Sequence, residues 1–177
     1  MIGRVTYLVR PGRADEVARY RAIEVAAGAA FRDAGMPEVA ADEPPLEAAL
    51  LGYVRAGRAW AVADDGGEPA GYLLLDVLDA ADAHVEQVSV LPSCRGLGLG
   101  ARLLDAAAAW ARERGYRRLT LTTFADVPWN APYYARLGFR TVPDEALTEP
   151  LRAVRRREAE HGLDRWPRVV MARDLDR

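Results

Sequence analysis

One stretch, His84 to Ala101, limits the folds open to this chain more than any other. It reads HVEQVSVLPSCRGLGLGA: an apolar strand runs into Pro92, three glycines alternate through the turn, and a helix-forming run continues to Arg114. Glycine adopts positive φ at little cost and lets another molecule approach the backbone. The first turn of a helix leaves N–H groups without intrahelical partners and carries partial positive charge. The stretch therefore predicts an anion site suited to a phosphate group.

The periodicity of the remaining chain predicts a mixed sheet with crossover helices. Before this stretch, elements are expected in the order β-α-α-β-β, over residues 2–9, 14–31, 46–55, 59–63 and 71–77. A strand over 83–90 and a helix over 101–114 follow, then the order β-α-β-α-β, over residues 116–124, 130–137, 139–142, 145–161 and 166–171. A loop is expected over 39–45, and Asn130 is expected to cap the helix after it. This order predicts an α/β or α+β layered fold, with residues 1–177 forming one domain.

Composition and charge exclude several classes of function. The net charge of −2 gives no basic field for a nucleic acid or an anionic membrane. All 24 basic residues are arginines, which excludes a lysine nucleophile. Cys94 is the one cysteine, and with two histidines it shows neither a disulfide framework nor the spacing of metal ligands. No apolar run reaches the roughly 20 residues of a membrane span and no secretory leader is found, so we expect a cytoplasmic protein without a metal site.

Two common nucleotide-binding loops do not account for the glycine turn. No Gly-Lys-Ser/Thr follows it, so it is not a Walker loop. Gly96, Gly98 and Ala101 approach the relaxed dinucleotide spacing, but a dinucleotide loop usually opens the first βαβ unit of a chain. Here three strands and two helices are predicted before it. A purely structural turn stays open as the alternative to a phosphate site.

Two motifs together resemble the GNAT family of N-acetyltransferases. The pattern R-x-x-G-x-G at 95–100, behind a strand ending in V-x-P, is similar to the pyrophosphate loop of that family. The pattern Y-x-x-x-G-F at 134–139 is similar to a second family motif. The order of predicted elements is similar to the family fold, a mixed, mostly antiparallel twisted sheet flanked by helices on both faces. The resemblance implies acetyl-CoA as the co-substrate, an amine as the acceptor, and direct transfer in a ternary complex.

The resemblance assigns donor-binding roles to three parts of the chain. In the family, the backbone of the strand before the loop pairs with pantetheine amides, which places this role here on Val88, Ser89 and Val90. The N–H of Val88 is then the expected donor to the thioester carbonyl. The loop expected at the pyrophosphate contains Arg95, Gly96, Leu97, Gly98, Leu99, Gly100 and Ala101. Asn130 is expected to touch the cofactor, although it precedes the motif tyrosine by four residues where many relatives have seven. For Val88 and Val90, a role as ordinary core valines stays open beside the donor contacts.

Two side chains are candidates for proton transfer. Glu86 lies two residues before Val88, hence on the same face of the strand, and the family often has an acid there. It is the candidate general base, acting directly or through water. Tyr134 is the candidate general acid, which returns a proton to the departing thiolate. A surface carboxylate and a packed aromatic ring stay open as the structural alternatives.

The acceptor side, by the same resemblance, is formed by the first two helices, the loop between them and segments near the last strands. Acids attract a cationic amine, and aromatic rings stack on its apolar part. The candidates are Glu24, Phe31, Asp42, Glu43, Trp129 and Trp166. The expected acceptor is a small-molecule amine; a protein N-terminus or side-chain amine, a longer acyl donor and a non-catalytic acyl-CoA-binding module stay open. A homodimer is compatible with the sequence, which does not define the oligomeric state.

Overall fold

A computed structural model describes residues 5–175, and in that part seven strands form one sheet in the order β1-β2-β3-β4-β5-β7-β6. The strands are β1 Leu8–Pro11, β2 Ala59–Ala63, β3 Pro69–Val77, β4 Asp82–Val90, β5 Arg118–Phe124, β6 Arg140–Thr141 and β7 Arg168–Asp174. β4 and β5 are parallel, whereas the pairs β1–β2, β2–β3, β5–β7 and β6–β7 are antiparallel. The predicted mixed and mostly antiparallel sheet is confirmed.

Helices flank this sheet, as predicted. They are α1 Val17–Gly28, α2 Ala30–Asp33, α3 Pro37–Ala40, α4 Glu47–Arg55, α5 Leu99–Glu113, α6 Ala131–Arg136 and α7 Glu149–Glu160. Short 3₁₀ turns lie at Ala14–Glu16, Pro92–Cys94, Asp144–Ala146 and Leu163–Arg165. Within residues 5–175, none of the helices combines the length and the apolar character needed to cross a membrane.

The N-terminal third differs from the prediction in three places. The helix expected over 14–31 is divided into the 3₁₀ turn Ala14–Glu16, α1 and α2. The first strand begins at Leu8, since residues 5–7 are not in a strand and residues 2–4 of the predicted strand lie outside the described residues. The loop expected over 39–45 is shortened by α3, which has Pro37 in its first turn. Proline suits the first helical position because its φ is already helical and the N–H that it lacks is not needed there.

The chain divides into two compact units, and the first contains residues up to Leu75 together with Glu86–Ala107. Its core is a cluster in which α1 and α4 cover one face of β2 and β3. Residues three apart on a helix and two apart on a strand share a face, which explains the members of this cluster. They are Val17, Tyr20, Ile23, Leu50, Ala59, Ala61, Tyr72 and Leu74.

The second unit contains Asp76–Val85 and the chain from Ala108 onward. β5 and β7 pair along their whole length, from Arg118 opposite Asp174 to Phe124 opposite Arg168. Where β4 and β5 pair in parallel, the buried Asp82 carboxylate accepts two hydrogen bonds from Arg118, of 2.7 and 2.5 Å. An arginine partner with two hydrogen bonds offsets part of the cost of burying a carboxylate.

Candidate functional site

The glycine turn in the first unit has the backbone that its sequence requires. After β4, the Pro92–Cys94 turn leads through Arg95 to Gly96 and Gly98, whose φ angles are +80° and +72°. A Cβ built at either glycine meets no atom within 4 Å. Glycine is therefore required here by the left-handed backbone conformation and not by crowding within the protein.

The turn leads directly into α5. The Gly98 carbonyl accepts the N–H of Arg102 at 3.2 Å, so Gly98 is the residue that opens the helix. The amides of the first three helical residues, 99–101, are then the ones that helix geometry leaves without an intrahelical acceptor. The loop residues 95–98 are exposed to solvent, whereas Leu99 is buried and anchors the helix. This arrangement can hold an anion such as a phosphate group.

The strand before the turn pairs with its parallel neighbour only at its start. In the described chain, the ladder between β4 and β5 covers Asp82, Ala83 and His84, whereas β4 itself continues to Val90. The segment beyond the ladder includes the predicted donor residues 88–90. Val88 and Val90 are half-buried and Ser89 is buried, its hydroxyl accepting a 2.8 Å hydrogen bond from the Gln87 amide.

Glu86 is exposed at the beginning of this segment, where the first unit resumes. Gln87 is directed to its bond with Ser89, two residues along the same face of the strand. The exposed position of Glu86 is compatible both with the predicted base and with a surface carboxylate. Its role stays a prediction.

The Y-x-x-x-G-F motif in the second unit forms the C-terminal end of α6. Gly138 has φ +87° and donates its N–H to the carbonyl of Ala135, and Phe139 donates its N–H to the carbonyl of Tyr134. These two bonds define a Schellman motif, in which the residue after the glycine packs back on the last turn. The rings of Phe139 and Tyr134 make that contact, with centroids 5.9 Å apart.

The ring of Tyr134 contacts a second aromatic ring besides Phe139. Tyr133 lies edge-on to it, with ring centroids 5.4 Å apart. Burial raises the pKa of the Tyr134 hydroxyl above its ordinary value, and the neighbouring Tyr133 raises it further. Tyr134 is therefore protonated at neutral pH and can donate a hydrogen bond or a proton.

Asn130 precedes α6, but the prediction that its side chain caps the helix is wrong. Its carbonyl accepts the N–H of Tyr134, whereas its Oδ1 accepts a 2.8 Å hydrogen bond from the Thr123 hydroxyl. A capping side chain bonds the N–H of the second or third helical residue, and Pro132 at the second position has none. Because Thr123 occupies the amide oxygen, the Asn130 NH₂ is the group that remains to donate.

The predicted acceptor residues divide between the two units. In the first unit, Glu24 accepts a hydrogen bond from the Tyr72 hydroxyl, and Asp42 is near enough to influence the pKa of Glu24. Asp42 and Glu43 are exposed, and Phe31 is half-buried on α2.

In the second unit, Trp129 is half-buried, and Trp166 stands edge-on to Phe124 with ring centroids 6.3 Å apart. Tyr72 was missed by the sequence analysis, because an aromatic residue in an apolar strand reads as ordinary core. The alternation of β3 places Tyr72 on the face that α1 covers, but its hydrogen bond to Glu24 is visible only in the folded structure.

Comparisons with known proteins agree with these motifs. A model of the acetyltransferase (GNAT) family matches residues 23–139, which include both motifs and more than half of the chain. A GNAT-family acetyltransferase from Staphylococcus aureus Mu50 has a TM-score of 0.72 at 15% identity, covering 97% of this chain and 100% of that one. N-acetylglutamate synthase from Neisseria gonorrhoeae, solved with coenzyme A and N-acetyl-glutamate, has a TM-score of 0.71 at 18% identity, covering 97% of this chain but 36% of that one.

Among curated proteins, mouse N-alpha-acetyltransferase 80 is 45% identical over 56 residues, which span 32% of this chain and 17% of the mouse protein. This chain therefore corresponds to a minor part of the mouse protein and of the Neisseria synthase. The family match itself covers the turn into α5, the donor strand and the α6 motif together. The chain belongs to the GNAT family, a family of acyl-CoA-dependent acetyltransferases.

Proposed function

We propose that this chain transfers an acetyl group from acetyl-CoA to an amine of a small molecule, by direct attack in a ternary complex. The observation that carries the proposal is the turn at 95–101, where two glycines with positive φ lead into the amides of α5. The turn is exposed and its glycines have open space beside them, so it fits a pyrophosphate.

The donor is held by backbone and by one side-chain amide. Residues 95–101 bind the pyrophosphate, and the segment 88–90, beyond the ladder with β5, pairs with the pantetheine amides. The N–H of Val88 donates a hydrogen bond to the thioester carbonyl oxygen of the donor, on which negative charge develops during the transfer. Asn130, oriented by Thr123, donates its NH₂ to the donor. Acetyl-CoA supplies the activated acetyl thioester.

Glu86 and Tyr134 handle the protons in this proposal. An alkylammonium has a pKa near ~10, so the acceptor must lose a proton before it attacks. Glu86, exposed on β4, takes that proton directly or through water. Tyr134 returns a proton to the thiolate. A phenol holds its proton at neutral pH, so the hydroxyl is available as a donor, although the raised pKa makes it a weaker acid than a free tyrosine.

The acceptor is recognised by acids and aromatic rings. Within the first unit, Glu24, Asp42 and Glu43 attract the cationic amine, and Phe31 contacts its apolar part. Replacing both Asp42 and Glu43 with neutral residues is expected to raise the acceptor KM. An unchanged KM would remove these two acids from the acceptor site.

A second acceptor class is favoured by one observation. The mouse relative with 45% identity over 56 residues is named as an N-alpha-acetyltransferase, which makes a protein N-terminus the alternative acceptor. The test must therefore contain both classes of amine.

The experiment is calorimetric titration with acetyl-CoA, followed by detection of thiol release with small amines and with N-terminal peptides. Binding together with release for small amines supports the proposal, and release for peptides alone replaces the acceptor class. Tight binding without release for any amine identifies a non-catalytic acyl-CoA-binding module, and absence of binding overturns the proposal. Longer acyl-CoA donors in the same assay define the acyl-chain preference.

A further inference from the structure

Glu24, on α1, is a partly buried carboxylate without an arginine partner. Its Oε2 accepts a hydrogen bond from the Tyr72 hydroxyl, and within residues 5–175 no arginine forms an ion pair with it. Arg21, three residues earlier, donates its Nε–H instead to the carbonyl of Pro45 at 2.9 Å. A carboxylate withdrawn from water without a counter-charge is costly, so it attracts a proton or a cation.

The groups around Glu24 together raise its pKa. Burial raises its pKa, the hydrogen bond from Tyr72 lowers it, the charge of Asp42 raises it and the charge of Arg21 lowers it, with a net rise. A bound cation beside the carboxylate reverses this effect, because an opposite charge favours the ionised form. Glu24 is therefore suited to a cationic ligand, because Arg21 influences its pKa but is bonded to the Pro45 carbonyl and forms no ion pair with it.

Tyr72 fixes the position of this carboxylate. It is fully buried on β3, and its ring stacks on Tyr20 with centroids 5.1 Å apart and an interplanar angle of 12°. The Tyr20 hydroxyl is in turn fixed, donating to Glu16 at 2.7 Å and accepting the N–H of Arg13 at 3.0 Å. One carboxylate oxygen of Glu24 is thus held from the core, and the other is left for a ligand.

The Glu24–Tyr72 pair lies beside the donor segment of β4 in the same unit. The Leu91 N–H donates to the carbonyl of Ala70 at 2.8 Å. A Cβ built at Gly71 would lie 2.9 Å from the carbonyl oxygen of Ser89 and 3.0 Å from the Val90 side chain. Tyr72, the next residue of β3, points to the opposite face, where Leu91 packs against the same cluster, so its ring lies one strand away from the end of the donor segment.

We propose that Glu24, positioned by Tyr72, binds a second positive charge on the acceptor, so that the preferred substrate is a diamine-like dication and not a simple alkylamine. The proposal rests on the proposed function, in which one nitrogen of the acceptor attacks the thioester; Glu24 holds the remote nitrogen. The charge of the surrounding chain agrees with it, because residues 24–47 contain six acids and one arginine.

The test compares two amines of equal length, 1,4-diaminobutane and 1-aminopentane, in thiol-release kinetics. The wild-type protein is expected to favour the diamine in kcat/KM by roughly tenfold or more, as expected for a charge-assisted hydrogen bond. Glu24→Gln is expected to bring this ratio close to one, mainly through the KM of the diamine. Tyr72→Phe is expected to raise that KM a few-fold with kcat retained, which a merely structural defect does not produce.

Glu47→Gln is the matched control, because Glu47 is an exposed acid of the same stretch and should keep the wild-type ratio. A wild-type protein without preference for the diamine, or a Glu24→Gln variant with the wild-type ratio, overturns the inference. Calorimetric binding of 1,4-diaminobutane is measured in parallel. If no amine releases thiol, the proposed function fails. In that case the binding data still decide the inference: tenfold weaker diamine binding by Glu24→Gln, but not by Glu47→Gln, supports it, and equal binding by Glu24→Gln and the wild type refutes it.

Discussion

Gly98→Ala tests the turn that carries the proposed function. Gly98 has φ +72°, and a Cβ built there meets no atom within 4 Å, so the substitution adds strain without a clash. A residue with a Cβ in the left-handed region costs about 1–2 kcal/mol. The lower entropy of the unfolded alanine chain offsets about 0.4–1 kcal/mol of this. We expect a net loss of about 1 kcal/mol in the free energy of unfolding, or roughly 2–4 °C in Tm.

The assay is urea unfolding without ligand, followed by acetyl-CoA titration of the same variant. Gly52→Ala is the matched control, because Gly52 lies inside α4 without a positive φ and a Cβ built there meets no atom within 4 Å, so alanine is expected to stabilise the helix by up to about 1 kcal/mol. The affinity for acetyl-CoA should fall in Gly98→Ala as the amides move. A Gly98→Ala protein as stable as the wild type would refute the backbone conformation assigned to the turn.

Three further changes test the proton-transfer residues and the second unit. Tyr134→Phe should lower kcat by roughly 10²-fold in steady-state kinetics while calorimetric acetyl-CoA affinity is nearly retained, since only the hydroxyl is lost. Glu86→Gln should shift the acidic limb of the pH–rate profile, because the group that must be deprotonated is removed. His84 is buried against the Thr120 hydroxyl at 2.8 Å, and burial lowers its pKa to about 4. Below pH 6.5 the unfolded chain binds a proton on His84 that the folded chain does not. The free energy of unfolding should therefore fall by on the order of 3 kcal/mol between pH 6.5 and 4. Urea unfolding of His84→Gln should show a flatter pH dependence.

Each of these changes has an outcome that counts against it. An unchanged kcat in Tyr134→Phe would leave Tyr134 as a packing residue of α6. An acidic limb that stays in place in Glu86→Gln would assign the proton to another group or to water alone. A His84→Gln variant with the full wild-type pH dependence would mean that groups other than His84 control acid unfolding.

Local patterns in the sequence were enough to predict most of the elements. β2 occupies 59–63 as predicted, because its flanking turn residues define both ends of a short apolar run. α3 was missed because four residues are too few to show helical periodicity. Proline is also typical of helix ends, so Pro37 alone does not predict that a helix begins there.

Contacts between distant residues were beyond these patterns. Tyr72 and Glu24 are separated by 48 positions, and nothing local distinguishes Tyr72 from other apolar residues of β3. The same holds for Thr123 and Asn130: the sequence suggested an Asn130 helix cap, but the bond to β5 competes with it and Pro132 removes one of the amides to be capped. Side-chain roles at polar positions therefore depend on tertiary neighbours that periodicity does not encode.

The motif at 134–139 has two separable parts, and the separation limits what a motif match can prove. Gly138 and Phe139 end α6 through a left-handed glycine and a returning ring, which any helix of this geometry needs whether or not it is catalytic. The tyrosine hydroxyl has no role in that helix ending, because the bonds that form it use only the backbone of Tyr134. The glycine and phenylalanine therefore support the family fold, whereas an argument for chemistry depends on the hydroxyl alone, and that hydroxyl is the group that Tyr134→Phe removes without disturbing the helix end.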